Sequence, residues 1–356
     1  MTATHAGKTP AEGARILVVR LSAIGDVVHA MPVLCALRKH FPGAHLGWVA
    51  EGRTGDLLEG HPALNELIRV PRRWLKSPRA VWQLRQQLRA ARYDIAIDVQ
   101  GLSKSSIVSW LSGAPRRIGP GGRDGREVSP LLNNEPVVPS ATHVIDRNLQ
   151  LLRPLGIDEG KVSFDLPEAS DDARRVEAFL DDAGLTGGFA VINPGAGWPS
   201  KLWCPERFGE VARHLGRSFG LASVVVWAGD DEHQWAQTIV ARSDGWGRLA
   251  PPTTLCELAA LLRRGRLMVA SDTGPLHIAA AVGTPCVGLF GPMPHERNGP
   301  YGVQHVAVQV ERLTGRSRHL RRADNASMLA IGADLVCQAC DTILARDAEK
   351  PRSQVA

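Results

Sequence analysis

The sequence predicts an α/β protein built from two doubly wound parallel sheets. Short apolar runs alternate with helical patterns, as in α/β units, and the alternation restarts after residues 156–167, which resemble a linker. The later runs, such as SVVVW at 223–227, are apolar almost throughout, as strands covered on both faces require. The 356 residues suffice for two domains. We therefore expect domains at 1–165 and 166–345 with a cleft between them, and a polar tail at 346–356.

The first half opens with a strand, a glycine turn and a helix. The strand is predicted at 16–20 (ILVVR), the turn reads LSAIGD, and the helical pattern covers 27–40. Residues 115–140 are rich in Gly, Pro and Asn, so they predict a long surface loop with little secondary structure. The other elements expected here are strands at 46–50 and 95–99, an amphipathic helix with a basic edge at 80–92, and a helix at 143–155.

The second half repeats the alternation of strands and helices. Its strands are predicted at 190–193, 223–227, 267–270 and 286–290, with helices between them. In open α/β sheets the loops that follow the strands hold the ligand. The residues directly after these strands are therefore the first candidates for a functional site.

Basic charge is concentrated in one segment. The formal net charge of +6 favours an anionic partner, but residues 69–92 carry eight basic side chains and no Asp or Glu, and the rest of the chain carries −2. A protein that binds nucleic acid normally has a broad basic surface, and this segment offers only Trp74 and Trp82 for stacking on bases. Nucleic-acid binding is therefore a less favoured alternative. The eight residues are Arg69, Arg72, Arg73, Lys76, Arg79, Arg85, Arg89 and Arg92.

Neither a membrane span nor a disulfide framework is predicted. No run approaches the roughly 18 apolar residues that cross a bilayer, and the first residues lack the apolar core of a signal peptide. A cytoplasmic protein is expected. Cys337 and Cys340 have the spacing of a redox or zinc pair, but no second pair completes a site, so we expect inert thiols.

Two loops that follow predicted strands could carry chemistry. In SAIGD, at 22–26, Asp26 could cap the next helix or act as a general base. In NPGAGWPSKLW, at 193–203, Gly195 and Gly197 free backbone N–H groups to approach an anion, and Lys201 brings a point charge suited to phosphate. The alternative for this second loop is a plain turn before a helix.

Two further loops complete the candidate set. WAGDDE, at 227–232, could place Glu232 on sugar hydroxyls or could simply be solvated. In SDTGPLH, at 271–277, Asp272 and Thr273 can cap the helix that begins near Pro275. The N–H groups of that helix suit a phosphate, and His277 reaches back from its first turn. We interpret this last loop as a phosphate or sugar site.

In their order, these motifs resemble glycosyltransferase family 9, the ADP-heptose:lipopolysaccharide heptosyltransferases. The motifs are SxxGD, NPGAGxxxKxW, GDDE and DTGPLHxAAAxGTPxxGLFGP, and the resemblance runs from residue 16 to residue 301. The segments RRW at 72–74 and DVQGLSKS at 98–105 resemble the heptosyltransferase I branch. The resemblance implies a GT-B fold of two Rossmann-like domains, with the acceptor on the N-terminal domain and the sugar nucleotide on the C-terminal domain.

The resemblance also implies roles for individual residues. Asp26 is expected to be the general base, and Lys201 to hold the diphosphate. Glu232 would lie on the nucleoside side and Thr253 near the adenine. The residues around the diphosphate and heptose would be Asp272, Thr273, Gly274 and His277, and Gly197 would also bind the donor. One departure from the pattern is Ala196 and Gly197, which stand where members of this branch often carry two hydroxyl residues before the lysine.

The reaction implied is transfer of heptose, with inversion, from ADP-heptose to the Kdo-lipid A inner core of lipopolysaccharide. No metal or other cofactor is expected, and the enzyme would work peripherally at the inner face of the inner membrane. The alternative within the family is another nucleotide sugar or another acceptor. The side chains expected to dock the anionic acceptor are Arg72, Arg73, Lys76, Lys104 and Arg126.

Overall fold

Two parallel six-stranded sheets organise the chain in the computed structural model. The structure describes residues 10–158, 161–185, 187–315 and 317–348. The chain divides into two compact units, Met1–Pro167 and Glu168–Ala356. The predicted α/β class with two doubly wound sheets is confirmed.

The sheet of unit 1 has the order β3-β2-β1-β4-β5-β6. Its strands are β1 (Arg15–Val19), β2 (His45–Glu51), β3 (Glu66–Val70), β4 (Ile95–Asp98), β5 (Arg116–Pro120) and β6 (Glu135–Val137). Its helices are α1 (Ile24–His40), α2 (Pro78–Ala91), α3 (Ser103–Ser112), α4 (Ser129–Leu132) and α5 (Val144–Leu149). Short 3₁₀ helices cover Gly52–Leu58, Trp74–Lys76 and Gln150–Leu155.

The sheet of unit 2 has the order β12-β11-β10-β7-β8-β9. Its strands are β7 (Phe189–Asn193), β8 (Ala222–Val225), β9 (Gly247–Leu249), β10 (Leu267–Ser271), β11 (Cys286–Leu289) and β12 (Val306–Val308). Its longer helices are α6 (Ser170–Asp182), α7 (Pro205–Phe219), α8 (Asp230–Arg242), α9 (Leu255–Arg264) and α10 (Gly274–Ala281). The later helices are α11 (His295–Asn298), α12 (Ser317–Leu320), α13 (Ala326–Leu329) and α14 (Ala333–Ala348), and a 3₁₀ turn covers Pro199–Lys201.

Burial explains the composition of the central strands. The side chains of β1 and β7 are almost entirely inaccessible to solvent, because helices cover both faces of each sheet. α2 is amphipathic instead: Leu84 and Leu88 pack into the core, while its arginines face solvent. It begins at Pro78, and the Ser77 hydroxyl accepts a hydrogen bond from the Ala80 N–H at 3.3 Å.

In each sheet the strand order reverses between its two central strands. In unit 1 the reversal lies between β1 and β4, and in unit 2 between β7 and β10. The loops that leave the carboxyl ends of such a pair diverge to opposite sides and open a crevice, which is where doubly wound sheets bind ligands. The sequence motifs that contain Asp26, Lys201 and Asp272 all follow strands of these two pairs.

The prediction of little secondary structure at 115–140 was wrong. This stretch contains β5, α4 and β6, and β5 pairs with both β4 and β6. It is ordered through distant contacts: the buried carboxylate of Asp98 accepts a hydrogen bond from Asn133 Nδ2 at 3.0 Å, and Arg117 Nε donates to the Leu132 carbonyl at 2.7 Å. Contacts of this kind leave no local pattern in the sequence.

Two other boundaries differ from the sequence-based expectation. The helix predicted at 143–155 is α5 followed by a 3₁₀ turn, because Pro154 cannot donate the hydrogen bond that an α-helix needs there. At the C-terminal end, α14 runs through Arg346, the first residue of the predicted tail. Residues 349–356 of that tail lie outside the described ranges.

The six cysteines are free thiols. Cys337 and Cys340 lie together on α14, and burial raises the pKa of Cys337 to about 11 and raises that of Cys340 as well. Both side chains therefore stay protonated at neutral pH, as inert thiols would. Within the described ranges, no helix has both the length and the apolar character needed to cross a bilayer.

Candidate active site

Unit 2 brings the predicted donor residues to one edge of its sheet. Lys201 follows β7, Glu232 follows β8, Thr253 follows β9, and the stretch from Asp272 to His277 follows β10. These four strands are neighbours in the order β10-β7-β8-β9 and all run parallel. Their carboxyl ends therefore share one edge, and so do the loops that carry the four groups.

A buried ion pair joins the two loops at the reversal point. Lys201 Nζ lies 2.6 Å from Asp272 Oδ2 and 3.3 Å from the carbonyl oxygen of Asp272. The two side chains are only 11% and 6% exposed. A buried ion that loses its partner is left without the water that would otherwise solvate it. The pair therefore fixes the loop after β7 to the loop after β10.

His277 completes this cluster from the first turn of α10. Its Nε2 lies 3.2 Å from Asp272 Oδ1, so the two carboxylate oxygens of Asp272 have different partners. Burial alone would raise the pKa of Asp272, but the hydrogen bond from His277 and the charge of Lys201 outweigh it and hold the pKa below the ordinary aspartate value. Asp272 is therefore a fixed negative charge at neutral pH.

Neither Asp272 nor Thr273 caps α10 in the way the sequence permitted. Thr273 occupies the N-cap position, but its side chain makes no capping hydrogen bond, and the Asp272 carboxylate is occupied by Lys201 and His277. The helix starts at Gly274 with Pro275 in its first turn. Its N-terminal end, which carries partial positive charge, therefore lies beside the buried cluster and is not neutralised by a capping side chain.

Glu232 packs directly against the loop after β7. A Cβ atom on Gly195 would lie 2.1 Å from Glu232 Oε1, so a larger residue there would push the Glu232 carboxylate aside. The other carboxylate oxygen of Glu232 accepts the Ala228 N–H at 2.9 Å. Burial raises the pKa of Glu232, although that hydrogen bond acts in the opposite direction.

Gly197 and Thr253 lie less closely against the cluster. Within the described part of the chain, nothing lies within 4 Å of the position that a Gly197 Cβ would take, so the loop is open there. Thr253 is half-buried and directly precedes Thr254, the residue that caps α9. The structure places Thr253 on the same edge of the sheet without bringing it against Lys201 or Asp272.

In unit 1, Asp26 is both anchored and accessible. It is the third residue of α1, and its Oδ2 accepts the Ala23 N–H at 3.2 Å. Its Oδ1 lies 2.8 Å from Nη2 of Arg20, the residue that follows β1. The Asp26 side chain nevertheless remains 45% exposed. Asp26 therefore contacts the backbone at the start of α1 and also presents an oriented carboxylate that is partly exposed to solvent.

The predicted acceptor residues are spread over two loops and the start of α3 in unit 1. Arg72, Arg73 and Lys76 are exposed and follow β3, while Arg126 is exposed and its backbone N–H donates to the Gly101 carbonyl at 3.0 Å. Lys104 differs from them, because it is ion-paired with the buried carboxylate of Glu51. Its charge is therefore already offset within the protein.

Sequence reasoning missed Glu51 and Arg20. Glu51 ends β2 and accepts the Arg73 N–H at 3.2 Å, so it holds the basic loop, residues 71–77 between β3 and α2, as well as Lys104. Arg20 orients Asp26 and also donates to the Val99 carbonyl at 3.0 Å. Both residues stand directly at the end of an apolar strand, which is the same signal that identified the other candidates. Arg69 is likewise not a free charge, since it is paired with Asp56 and Glu59.

Comparison with known proteins decides the family. Residues 81–326 match the model of glycosyltransferase family 9 (heptosyltransferase), which is more than half of the chain. The chain belongs to glycosyltransferase family 9. As a family 9 member it is a glycosyltransferase, and the resemblance based on its motifs is confirmed.

Relatives within the family cover most of the chain. It is 29% identical over 304 residues to lipopolysaccharide heptosyltransferase 1 of Pseudomonas aeruginosa, covering 82% of each chain. It is 26% identical over 310 residues to lipopolysaccharide heptosyltransferase 1 of Escherichia coli K12, covering 84% of this chain and 94% of the relative.

Solved structures show the same fold. A family 9 glycosyltransferase from Veillonella parvula has a TM-score of 0.83 at 23% identity, covering 95% of this chain and 99% of the other. E. coli heptosyltransferase WaaC with ADP has a TM-score of 0.74 at 23% identity, covering 92% and 99%. The GT-B fold expected from the motifs is confirmed.

The buried pair predicts a large loss of stability when Asp272 is changed. Asp272→Asn leaves the Lys201 ammonium buried without its counter-charge, which should lower the unfolding free energy at pH 7 by about 3–5 kcal/mol. The matched control is Asp244→Asn, which removes the exposed pair between Asp244 and Arg217 and should cost at most about 1 kcal/mol. Urea unfolding of the full chain measures both variants.

The stability of the wild type should depend on pH more strongly than that of Asp272→Asn. Because the folded protein holds the pKa of Asp272 below its unfolded value, the carboxylate contributes stability above the unfolded pKa and loses it as the pH falls. The wild type should therefore lose unfolding free energy more steeply than Asp272→Asn as the pH falls below about 4. Equal losses in Asp272→Asn and Asp244→Asn would show that the buried pair does not hold the loops together.

Proposed function

We propose that this family 9 enzyme transfers a heptose from ADP-heptose to the Kdo-lipid A inner core of lipopolysaccharide, with inversion at the anomeric carbon. The observation that carries the donor half is the buried cluster of Lys201, Asp272 and His277 beside the N-terminus of α10. The sugar and acceptor are supported by relatives named lipopolysaccharide heptosyltransferase 1 and by the similar solved structure of E. coli heptosyltransferase WaaC with ADP-2-deoxy-2-fluoro heptose.

The donor would be held by groups of unit 2. The N–H groups and dipole of α10 suit a diphosphate, with Gly274 giving its oxygens close access to the backbone. Lys201, Thr273 and His277 would line the diphosphate and heptose. Glu232, which packs against Gly195, would accept hydrogen bonds from the nucleoside hydroxyls. Gly197 would leave room for the phosphates, and Thr253 would lie toward the adenine.

Asp26 would be the general base. An alcohol is too weak a nucleophile at neutral pH, so its proton must leave as it attacks. The proton would pass to the Asp26 carboxylate, which Arg20 and the Ala23 N–H hold in a fixed orientation with its side chain partly open to solvent. The acceptor oxygen would bond to the anomeric carbon as the bond from that carbon to the diphosphate breaks. In-line attack from the opposite side inverts the configuration.

Charge develops on the departing diphosphate during this step. Preorganised positive groups aimed at that charge lower the barrier, and such electrostatic stabilisation is usually the largest catalytic contribution. The first turn of α10 would supply most of it, and Lys201 would contribute less because Asp272 offsets part of its charge. In this scheme the first turn of α10 and Lys201 stabilise the negative charge on the departing diphosphate, and no step calls for a metal.

Replacing the base predicts a specific loss of turnover. Asp26→Asn keeps the size of the side chain but cannot accept the proton, so kcat should fall by about 100-fold or more. The ADP affinity should stay within about twofold of the wild type, since Asp26 lies in the other unit. Initial-rate kinetics and calorimetric titration with ADP measure these two quantities.

The control for that variant is Asp146→Asn. Asp146 is also an acid in the first turn of a helix of unit 1, so the control separates loss of a helix-start charge from loss of a base. Asp146→Asn should retain most of the transfer activity. Substantial turnover by Asp26→Asn, or an equal fall in both variants, would remove Asp26 from the role of base.

The basic side chains of unit 1 would dock the anionic acceptor. We assign this role chiefly to Arg72, Arg73, Lys76 and Arg126, which are exposed. Lys104 would contribute less, because Glu51 already offsets its charge. A phosphorylated lipid core is strongly anionic, and a basic patch raises its local concentration. Binding such a lipid implies peripheral action at the cytoplasmic face of the inner membrane.

Charge reversal on the basic loop predicts a change in acceptor use alone. The double variant Arg72→Glu, Lys76→Glu should raise the acceptor KM about tenfold or more at low salt, with the donor KM unchanged, because rim charges act through steering and local concentration. Arg73 is left in place because its backbone N–H donates to the buried Glu51 carboxylate, so a glutamate there would add a second negative charge close to the first. Initial rates with each substrate varied in turn provide the measurement.

The matched control for this double variant is Arg79→Glu, Arg85→Glu. It makes the same change of net charge at exposed positions of α2, and it should shift the acceptor KM much less. If both double variants shift that KM equally, the effect comes from overall charge and not from a docking site.

A further inference from the structure

Two cations meet on one tryptophan ring beside the buried cluster. Trp198 lies in the loop after β7 and is half-buried. Lys201 Nζ lies 4.2 Å from the centroid of its ring, and Arg321 Cζ lies 4.8 Å from the same centroid. Both distances are within the range of cation–π attraction. Arg321 comes from a different part of unit 2, the stretch directly after α12.

The chain around Arg321 is anchored to the loop that carries Trp198. Asn325 Nδ2 donates to the Leu202 carbonyl at 3.0 Å, and Trp203 Nε1 donates to the Ile331 carbonyl at 3.0 Å. Leu320, just before Arg321, is buried. Arg321 is therefore an exposed side chain on a segment that is fixed to the loop after β7 at two points, Asn325 and Ile331.

The charges of the buried cluster explain why a second cation is needed there. The ammonium of Lys201 is matched by the carboxylate of Asp272, so the pair has no net charge to offer an incoming anion. A nucleoside diphosphate carries at least two negative charges at neutral pH. Among the described residues, no carboxylate lies within ion-pair distance of Arg321, so the charge of Arg321 is not offset.

Two positions of the loop after β7 offer no side-chain donor. Ala196 and Gly197 bring no side-chain hydroxyl, and the space around the Gly197 Cβ position is open. A guanidinium presents several N–H donors in a planar fork that matches two phosphate oxygens at once. The face of a tryptophan ring can hold a guanidinium in place while the N–H groups of the guanidinium remain available to donate to phosphate oxygens.

We propose that Arg321, positioned on Trp198, binds the diphosphate of the sugar nucleotide as a second cation beside Lys201. Trp198 is a positioning residue, since it acts through the two cations that it orients. The inference rests on the donor half of the proposed function and adds to it a ligand from the C-terminal segment. This role explains why Arg321, which is exposed and has no neutralising carboxylate among the described residues, lies against the loop after β7.

Calorimetric titration of the full chain with ADP and with adenosine tests this assignment. Arg321→Ala should weaken ADP binding about tenfold or more, because it removes a charge-assisted contact, and should leave adenosine binding unchanged. Arg321→Lys should retain part of the affinity, since lysine keeps the charge but loses the fork. Trp198→Ala should weaken ADP binding, and Trp198→Phe should restore most of it because an aromatic face remains.

The control is Arg322→Ala, which removes the same charge one residue further on. It should leave both affinities unchanged, since Arg322 is exposed and is not stacked on Trp198. An equal loss of ADP affinity in both arginine variants, or an equal loss of ADP and adenosine affinity in Arg321→Ala, would overturn the assignment. Absence of ADP binding by the wild type would instead contradict the proposed donor, and the inference would fall with it.

Discussion

The buried ion pair between Lys201 and Asp272 is the interaction on which the candidate donor site depends. It crosses the reversal point of the unit 2 sheet and fixes the loop after β7 to the start of α10. An ion pair in such a place adds little stability by itself, because desolvation offsets most of the attraction. The pair matters for geometry instead. With both ions paired, His277 and the N-terminus of α10 are held in a single arrangement before any ligand binds.

The same pair also limits what the cluster can do. Because Asp272 offsets the charge of Lys201, the lysine would attract a diphosphate less strongly than an unpaired lysine, and in the proposed reaction the helix N-terminus and Arg321 gain importance. In unit 1 the same logic applies to Lys104, whose charge Glu51 offsets, and to Arg69, which two carboxylates surround. Counting basic residues in a sequence therefore overstates the charge that is available to a ligand.

Much of the site could be predicted because, in a doubly wound sheet, residues that directly follow parallel strands lie at the same edge of the sheet. Lys201, Glu232 and Asp272 each follow an apolar strand, so they share one sheet edge, whatever the details of packing. Which of them pair could not be predicted, since partners separated by 71 residues leave no local signal. The order in 115–140 was missed for the same reason: it depends on Asp98, which lies buried at the end of β4.

The proposed reaction, transfer of heptose from ADP-heptose with inversion, can be followed in a single experiment. The full-length enzyme is incubated with ADP-heptose and Kdo-lipid A, released ADP is counted, and the anomeric configuration of the product is read by NMR. We expect one ADP per heptose transferred and a product with the configuration opposite to that of the donor. Retained configuration, or transfer from a UDP- or GDP-sugar but not from ADP-heptose, would contradict the proposed reaction.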